Sequence, residues 1–340
     1  MAELLNPTGK PLDPSAQICM PAEVVPSFRA TMAVSNKLGN KFLYYVTGGM
    51  GDTICAEPAI RFACEEFKDV EITVGTYWPE LFRHLPVKTI NFFENKKPLV
   101  AHMYDYFCFK SLYDSMEFHS EFIPHMNTHV VDYCSLTLLR LQLPHSRKHI
   151  VLKPTEEEFN KVSLAHNKLV IHPGRTWKSR TIPAWWWNKF IKAARQYAEV
   201  VIIGATTQDP KLGVVDLDAT YCVDLRNKLS VMESIAVCQR AQVVITNDSA
   251  PFHMASSGGA WIGVLSTVKH PDLLLHYRNG RHGFGAENLC RGGMWEEFNL
   301  NPNFCGEFHY SECTDEQMEK WLPEPADVAH WAVDKGPKLY

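Results

Sequence analysis

The sequence contains no long apolar run, no apolar leader and no excess of charge of one sign. Over its 340 residues no stretch approaches the roughly 18 uninterrupted apolar residues of a membrane-spanning helix. Residues 1–26 are rich in proline and lack the apolar core of a signal peptide. A net charge of −4, spread evenly, argues against a general electrostatic grip on nucleic acid or anionic lipid, although a local basic groove remains compatible with it. We therefore expect a soluble intracellular protein without integral membrane contact.

Two common nucleotide-binding fingerprints are also missing. In the stretch YYVTGGMGDT, Gly49 and Gly51 fit the first two positions of G-x-G-x-x-G, but the third falls on Ile54. The pattern G-x-x-x-x-G-K-[ST] is absent. A nicotinamide oxidoreductase and a P-loop enzyme are therefore disfavoured. What remains is a glycine turn, including Gly48, that delivers Asp52 to a helix start, where Asp52 is either a functional carboxylate or only a helix cap.

The composition that is present is ordinary for a globular protein. Apolar residues make up 46% and charged residues 21%, which is enough to bury a substantial core. A chain of 340 residues is long for one domain and comfortable for two. The 10 cysteines are scattered along the chain, so we expect them to be reduced rather than paired.

Strand and helix patterns alternate in the first half of the chain. KFLYYV, VEITVGT and TINFF predict strands, with helices at AEPAIRFACEEFK and PELFRHL between them. This alternation indicates a parallel α/β sheet. Residues 1–40 read as an irregular arm, and residues 94–129 read as a less regular segment crowded with aromatics and histidines. The proline-bracketed stretch 143–154 has the composition of a linker.

The same alternation restarts after the linker. Strands are predicted at KLVIHPG, EVVIIGA, QVVITN and AWIGVLS, and helices lie between them. The repetition predicts two facing Rossmann-like domains, residues 1–150 and 151–324, with a ligand cleft at the carboxyl ends of the strands. A closing helix in residues 325–340 could return to the first domain.

Two strand ends in the second domain carry groups that suit an anion. After VIHPG, the cations Arg175, Lys178 and Arg180 follow within one short segment, as a phosphate-bearing ligand would require. The alternative is a solvated basic loop. After VVITN come Asp248 and Ser249.

The chain after Ser249 opens a short helix with Ala250 and Pro251. Free amides at a helix N-terminus form a ready anion site, and His253 lies on the first turn of this helix. The alternative is that Asp248 or Ser249 caps the helix and that His253 is a packing residue.

One further pattern resembles a metal site without matching one. The pattern C-x3-H-x3-C has wider ligand spacing than structural zinc sites use. We therefore expect a partly buried thiol cluster rather than a metal. Its members, with one upstream cysteine, are Cys290, Cys305, His309 and Cys313.

Four stretches together resemble one known family. They are GGMGDTICAEPAIRF, HPGRTWKSRTIPAWWWNKF, VVIIGATTQDP and DLRNKLSVMESIAVCQRAQVVITNDSAPFHMASSGGAWIGVLSTVKHP, within residues 41–76 and 168–271. In order and spacing they are similar to the heptosyltransferase-like glycosyltransferases of family 9. The resemblance implies a GT-B fold, in which two Rossmann-like domains face each other.

The resemblance also implies roles for individual residues. Asp52 matches the general base that reaches the acceptor hydroxyl, and Arg180, with Lys178 and Arg175 beside it, matches the cation that neutralises the donor diphosphate. The loop whose amides hold the phosphates, with its histidine, corresponds to Asp248, Ser249, Ala250, Pro251 and His253. The nucleoside would be held at Thr207, Gln208 and Asp209.

The activity implied by this resemblance is inverting transfer of a sugar from a nucleotide-diphosphate sugar to a hydroxyl, without a required cofactor or metal. The acceptor is either a saccharide of the lipopolysaccharide type or a hydroxymethylated DNA base of the bacteriophage type. The alternatives are a non-catalytic nucleotide-sugar-binding protein and an epimerase of the same fold. The expected location is the cytoplasm of a bacterium or of a phage-infected host.

Overall fold

The computed structural model divides the chain into two units, Met1–Lys153 and Pro154–Tyr340. The division falls inside the predicted linker. The residues that the structure describes are 4–5, 40–46, 48–91, 99–100, 106–110, 129–139, 142–174, 181–206, 217–266, 274, 281–285, 319 and 322–335.

The first unit contains a four-stranded parallel sheet. The elements of this unit are β1 Leu4–Leu5, β2 Lys41–Val46, α1 Met50–Glu66, β3 Glu71–Thr76, β4 Lys88–Asn91, β5 Leu99–Val100, β6 Tyr106–Lys110 and α2 Val130–Leu139. The strands of the sheet lie in the order β4-β3-β2-β6, so the chain crosses from the outer strand β4 to the opposite edge at β6. Strand β2 is buried after its first residue because it is central and covered on both faces.

Three sequence predictions for this unit need correction. The segment predicted to be less regular contains β6, which pairs with β2, so a strand was missed there. Leu4–Leu5, in the predicted arm, pairs with Leu99–Val100. The predicted helix over residues 79–85 is only a 3-10 turn at Pro79–Phe82, since a proline at position 86 disfavours helical backbone just before it.

The second unit contains a six-stranded parallel sheet in the order β12-β11-β10-β7-β8-β9. This is the Rossmann order, in which the chain starts in the middle, at β7, and later resumes on its other side, at β10. The elements of this unit are α3 Glu156–Lys161, β7 Leu169–His172, α4 Ala184–Ala194, β8 Val200–Ile202, β9 Val223–Asp224, α5 Val231–Arg240, β10 Val243–Asn247, α6 Ala250–Ala255, β11 Trp261–Ser266, β12 Arg281–Gly285 and α7 Pro325–Lys335.

Local sequence signals account for several of these elements. Helix α5 begins with a capping box, in which Ser230 Oγ accepts from the Glu233 N–H at 3.2 Å and Glu233 Oε2 accepts from the Ser230 N–H at 2.8 Å. In α4, Trp186, Trp187 and Phe190 are fully buried and form an aromatic cluster in the core, in which Trp186 stacks on Phe190 and Trp187 meets both rings edge to face.

The closing helix α7 packs against α4 and therefore belongs to the second unit. Trp186 Nε1 donates to the Pro323 carbonyl at 2.7 Å, just before α7 begins. Strand β12 was also missed by the sequence analysis, because its residues RHGFG carry too few apolar side chains to predict a strand.

Among the cysteines in the described residues, Cys64, Cys222 and Cys238 form no disulfide. Burial raises the pKa of the Cys64 thiol to about 12, with the nearby carboxylates adding to the effect. Within the described part of the chain, no helix combines the length and the apolar character that crossing a bilayer requires.

A buried charge cluster fixes the end of the first unit against α1. Glu57 is fully buried and accepts from Arg61 Nε at 2.9 Å and from the Val151 N–H at 2.9 Å. His84 Nε2 lies 3.3 Å from the same carboxylate. Arg61 in turn donates to the His149 carbonyl at 2.6 Å. The ion pair between Glu57 and Arg61 therefore also binds two backbone groups, the Val151 N–H and the His149 carbonyl, in the segment that leads to the second unit.

We predict that Glu57→Ala lowers the free energy of unfolding by about 3–5 kcal/mol, because it removes the buried carboxylate that accepts from Arg61 and leaves the buried guanidinium only its longer ion pair with Glu65 at 3.9 Å. Urea denaturation followed by circular dichroism, read at the first transition, measures the change. The matched control is Glu66→Ala on the same helix, whose carboxylate makes only an exposed ion pair with Arg147 at 3.8 Å and is worth under about 1 kcal/mol. Equal effects of the two variants would contradict this account of the cluster.

Candidate functional site

Each of the two main sheets has a topological switch point, which is a pair of neighbouring strands whose following connections run to opposite sides of the sheet. In the first sheet it lies between β2 and β6, and in the second between β7 and β10. Open parallel sheets bind ligands in the crevice beside the carboxyl ends of such strands. The polar residues predicted after β2 and after β10 both follow strands at these points.

Asp52 lies in the first turn of α1, directly beyond the end of β2. Its Oδ2 accepts from the Gly49 N–H at 2.9 Å, and the residue is half-buried. The capping role that the sequence left as the alternative is therefore real. A carboxylate can fill this role and still meet a substrate, since each oxygen has two lone pairs.

Gly48 is required by the position of this carboxylate. Its φ is +98°, in the left-handed region that side chains disfavour. A Cβ at this position would stand 2.8 Å from Asp52 Oδ2 and 3.1 Å from Asp52 Cβ. Gly49 has φ −73°, and a Cβ there would meet Asp52 Oδ2 at an ordinary 3.5 Å. The glycine turn therefore clears space for Asp52.

The switch point of the second sheet carries a cluster of buried polar side chains. Thr246 and Asn247 are fully buried at the end of β10, and Asp248 and Ser249 are 5% and 4% exposed in the loop that follows. Ser249 Oγ lies 2.9 Å from Thr246 Oγ1 and 3.1 Å from the Asn247 carbonyl. The loop predicted to hold phosphates is thus tied to the strand that precedes it.

The sequence analysis missed one member of this cluster, His172, the last residue of β7. Its Nδ1 lies 3.0 Å from Ser249 Oγ, so the two strands that flank the switch point are joined through their side chains. Thr246 Oγ1 also lies 3.3 Å from the His172 carbonyl. One sequence signal could have identified His172: it is the last residue of the predicted strand in VIHPG, just before the cations to which the sequence analysis assigned a role.

At the start of α6, the residues predicted to form the phosphate-binding loop have different positions and contacts. Ser249 occupies the N-cap position with extended backbone, but its hydroxyl makes no capping bond to the helix and points back to the strand ends. Ala250 and Pro251 begin the helix as predicted. His253 is 5% exposed and its ring lies 4.8 Å from that of Phe252, the packing arrangement that the sequence left as the alternative.

Several predicted site residues lie outside the described residues. They are Arg175, Lys178, Arg180, Thr207, Gln208 and Asp209, and the thiol cluster at Cys290, Cys305, His309 and Cys313. Their roles remain predictions. The segment with the three cations follows Gly174, after β7, and the segment predicted to hold the nucleoside follows Thr206, after β8.

Thr206 is held in place by Asn227, which the sequence analysis did not single out. The Thr206 N–H donates to Asn227 Oδ1 at 3.2 Å, and Asn227 Nδ2 donates to the Thr206 carbonyl at 3.0 Å. Asn227 has φ 57°, a conformation that asparagine tolerates better than most residues. The segment predicted to hold the nucleoside therefore leaves β8 from a fixed point.

Among the described residues, no group of three or more histidine, cysteine, aspartate or glutamate side chains is placed to hold a metal ion.

Comparison with known proteins identifies a family for part of the chain. Residues 100–260 match the model of glycosyltransferase family 9 (heptosyltransferase), a range that includes β7, β10 and the loop after it. No curated protein sequence matches the chain significantly.

Several solved structures share the fold at low sequence identity. A family 9 glycosyl transferase from Veillonella parvula is 13% identical with a TM-score of 0.55, over 85% of this chain and 97% of that one. The iron-containing dodecameric glycosyltransferase TibC of enterotoxigenic E. coli is 12% identical with a TM-score of 0.61, over 87% and 76% of the two chains. The E. coli ADP-heptose lps heptosyltransferase II is 13% identical with a TM-score of 0.53, over 72% and 89%. The predicted GT-B fold, with Rossmann-like domains built on parallel sheets, is confirmed.

We predict that Gly48→Ala lowers the free energy of unfolding by about 1–3 kcal/mol, from left-handed strain and the lost cap, and displaces the Asp52 carboxylate. Denaturation of the purified variant measures this change. Gly49→Ala is the matched neighbour, and we expect it to cost less than about 1 kcal/mol because Gly49 is not in the left-handed region. A larger cost at Gly49 than at Gly48 would contradict the account of the turn.

Proposed function

This chain carries a glycosyltransferase family 9 domain, and on that premise we propose that it is an inverting enzyme that transfers a sugar from a nucleotide-diphosphate sugar to an acceptor hydroxyl. The observation that carries the proposal is the second sheet: its strands have the Rossmann order, and its buried polar cluster at the switch point lies within the region that the family model matches. The prediction that the chain is a glycosyltransferase is confirmed by the same match.

The donor is assigned to the second unit. The loop from Asp248 to Pro251 follows the switch strand β10, and its backbone amides would meet the phosphate oxygens. Arg180, with Lys178 and Arg175, would neutralise the diphosphate, and Thr207, Gln208 and Asp209 would hold the nucleoside. Two similar proteins are named for ADP-heptose, the heptosyltransferase II and TibC in complex with ADP-D-beta-D-heptose, so an ADP-linked heptose is the first donor to test.

The acceptor step is assigned to Asp52. In inverting transfer the acceptor oxygen forms a bond to the anomeric carbon as the bond from that carbon to the diphosphate breaks, and the diphosphate leaves with the electron pair. Asp52 would take the acceptor proton as this occurs. Its position beyond the end of β2, in a turn kept bare by Gly48, supports this role because the carboxylate is half-buried and fixed in orientation.

Amides and cations around the diphosphate would stabilise the charge that develops on the leaving group, so the reaction needs no metal. The similar protein TibC is described as iron-containing. The cysteine and histidine residues at positions 290, 305, 309 and 313 are of types that bind iron, but we propose no step through them.

The acceptor is a saccharide of the lipopolysaccharide type or a hydroxymethylated DNA base. Removal of the proton from the acceptor hydroxyl by Asp52 is the same chemical step for both. A salt series of binding to duplex DNA discriminates between them, since a DNA acceptor requires affinity that falls with salt concentration. Binding of a nucleotide sugar without any turnover would instead favour the binding-protein alternative, and a sugar changed in configuration with no acceptor product would favour the epimerase alternative.

We predict that Asp52→Asn lowers kcat by about 100-fold or more with a small change in KM for the donor, because the amide keeps the shape and the capping acceptor but is not a base. The measurement is nucleoside diphosphate release that depends on acceptor, with candidate nucleotide sugars screened by mass spectrometry.

The control is Asp69→Asn, an exposed aspartate just after α1, which should behave as wild type. Full activity in a folded Asp52→Asn variant would remove Asp52 from the base role. Absence of transfer by the wild type, with every donor and both acceptor classes, would contradict the proposed function.

We predict that excess EDTA leaves the rate of transfer unchanged, because leaving-group charge is stabilised by protein groups alone. The same transfer assay, run after gel filtration in EDTA, measures it, and elemental analysis of that sample reports any retained iron. Loss of activity that is restored by a divalent cation would contradict metal independence.

A further inference from the structure

The turns that follow β8 and β9 are joined by one residue, Asn227. Its Oδ1 accepts from the Thr206 N–H at 3.2 Å, and its Nδ2 donates to the Thr206 carbonyl at 3.0 Å and to Thr206 Oγ1. The backbone N–H of Asn227 also donates to the Gly204 carbonyl at 2.9 Å. The turn after β8 is therefore bound at two of its residues, Gly204 and Thr206.

Hydrogen-bond counting indicates that the Asn227 side chain acts through Thr206. The Thr206 N–H can only donate and the Thr206 carbonyl can only accept, so a single orientation of the amide satisfies both. In that orientation both protons of Nδ2 are committed to Thr206. The side chain therefore has no proton left for a ligand, and what it contributes is the position of the turn.

The turn that carries Asn227 is itself braced on both sides of this residue. The Asp224 carboxylate accepts from the Arg226 N–H at 3.0 Å, from Arg226 Nε at 2.9 Å and from a terminal guanidinium nitrogen of Arg226 at 2.8 Å. These hydrogen bonds from the Arg226 side chain hold the pKa of the Asp224 carboxyl below its ordinary value. Lys228 Nζ donates to the Asp224 carbonyl at 2.6 Å. Asn227 is thus presented from a fixed turn.

These bonds lie on an exposed part of the sheet edge. Residues 204–206 and Asn227 are exposed, so water competes for the same hydrogen bonds and they contribute little to the stability of the core. Their main effect is to restrict a backbone that has no regular secondary structure. Binding residues are commonly carried on loops that a rigid scaffold positions, and a backbone that is already ordered loses less conformational entropy when a ligand binds.

The position of the braced turn in the sheet indicates which part of a nucleotide it serves. Strand β8 lies next to β7, the first strand of this Rossmann-ordered sheet, and is the second strand in chain order. In dinucleotide-binding sheets of this order, the turn after the first strand holds phosphates, and a residue near the end of the second strand binds the ribose. The turn at residues 204–206 therefore lies on the nucleoside side of the site.

We propose that Asn227 is a positioning residue for the nucleoside of the donor, which holds the turn at residues 204–206 in the conformation that receives it. The proposal rests on the proposed function and adds to it a residue that the sequence analysis did not single out. It requires a selective defect: loss of the amide weakens binding of the nucleoside part and leaves binding of the diphosphate part unchanged.

Asn227→Gly tests this role because glycine adopts the left-handed φ of 57° freely, so the substitution removes only the side-chain bonds to Thr206. The matched control is Asn167→Gly. Asn167 has φ 56° and lies before β7, at the amino end of the sheet. The two substitutions add the same freedom to the unfolded chain. Calorimetry with ADP, with UDP and GDP in parallel and with inorganic pyrophosphate measures the dissociation constants, and circular dichroism reports whether each variant is folded.

We expect Asn227→Gly to weaken binding of the nucleoside diphosphate about 5-fold or more and to change binding of pyrophosphate by less than about 2-fold. Asn167→Gly should bind both probes as the wild type does. The role of Asn227 is rejected, and the proposed function stands, if folded Asn227→Gly binds the nucleoside diphosphate as tightly as the wild type. Equal weakening for pyrophosphate, equal weakening by Asn167→Gly, or failure of Asn227→Gly to fold would show a general structural role and also reject it. If the wild type binds no nucleoside diphosphate, both proposals fail.

Discussion

The parallel pairing of every strand in the two main sheets is the constraint on which the rest of the structure depends. Because neighbouring strands run in one direction, their carboxyl ends meet along one edge of each sheet, and the residues that follow them gather there. In the second sheet this edge brings together residues as distant in sequence as His172 and Ser249. No local sequence pattern would place these two residues in contact, but the register Thr246↔His172 between β10 and β7 brings the ends of the two strands side by side.

The polar groups gathered at this edge are satisfied mostly by one another. Ser249 Oγ contacts the side chains of His172 and Thr246 and the carbonyl of Asn247, and Thr246 also reaches back to the β7 backbone. Buried hydroxyls without partners would each cost about 1–3 kcal/mol, so such a network is stable only as a whole. A network of this kind is rigid, and rigidity suits groups that must meet a charged leaving group without rearranging.

The fold was largely predictable because its core strands are short apolar runs bounded by glycine, proline or polar residues. KFLYYV, KLVIHPG and QVVITN each became a central strand. Two of the strands that were missed, Tyr106–Lys110 and Arg281–Gly285, lack this signature: the first lies in a segment dense in aromatics and histidines, and the second has only one large apolar side chain. Their strand character comes from pairing with β2 and β11, which is a tertiary effect that local propensity does not report.

The candidate site was predicted in part for the same reasons. Asp52 and Ser249 were found because each follows a predicted strand, and the competing structural role of Asp52 as a helix cap proved to be present too. His172 and Asn227 were missed because their importance lies in contacts across 77 and 21 residues of sequence, respectively. The region that matches the family model includes the edge where these residues lie.

The central claim is that the carboxyl ends of β7 and β10 bind the diphosphate of the donor. A crystal structure of the chain with a bound nucleoside diphosphate tests it most directly. The account predicts phosphate density at these two strand ends, beside the loop that starts at Asp248. A nucleotide bound away from these two strand ends would contradict it.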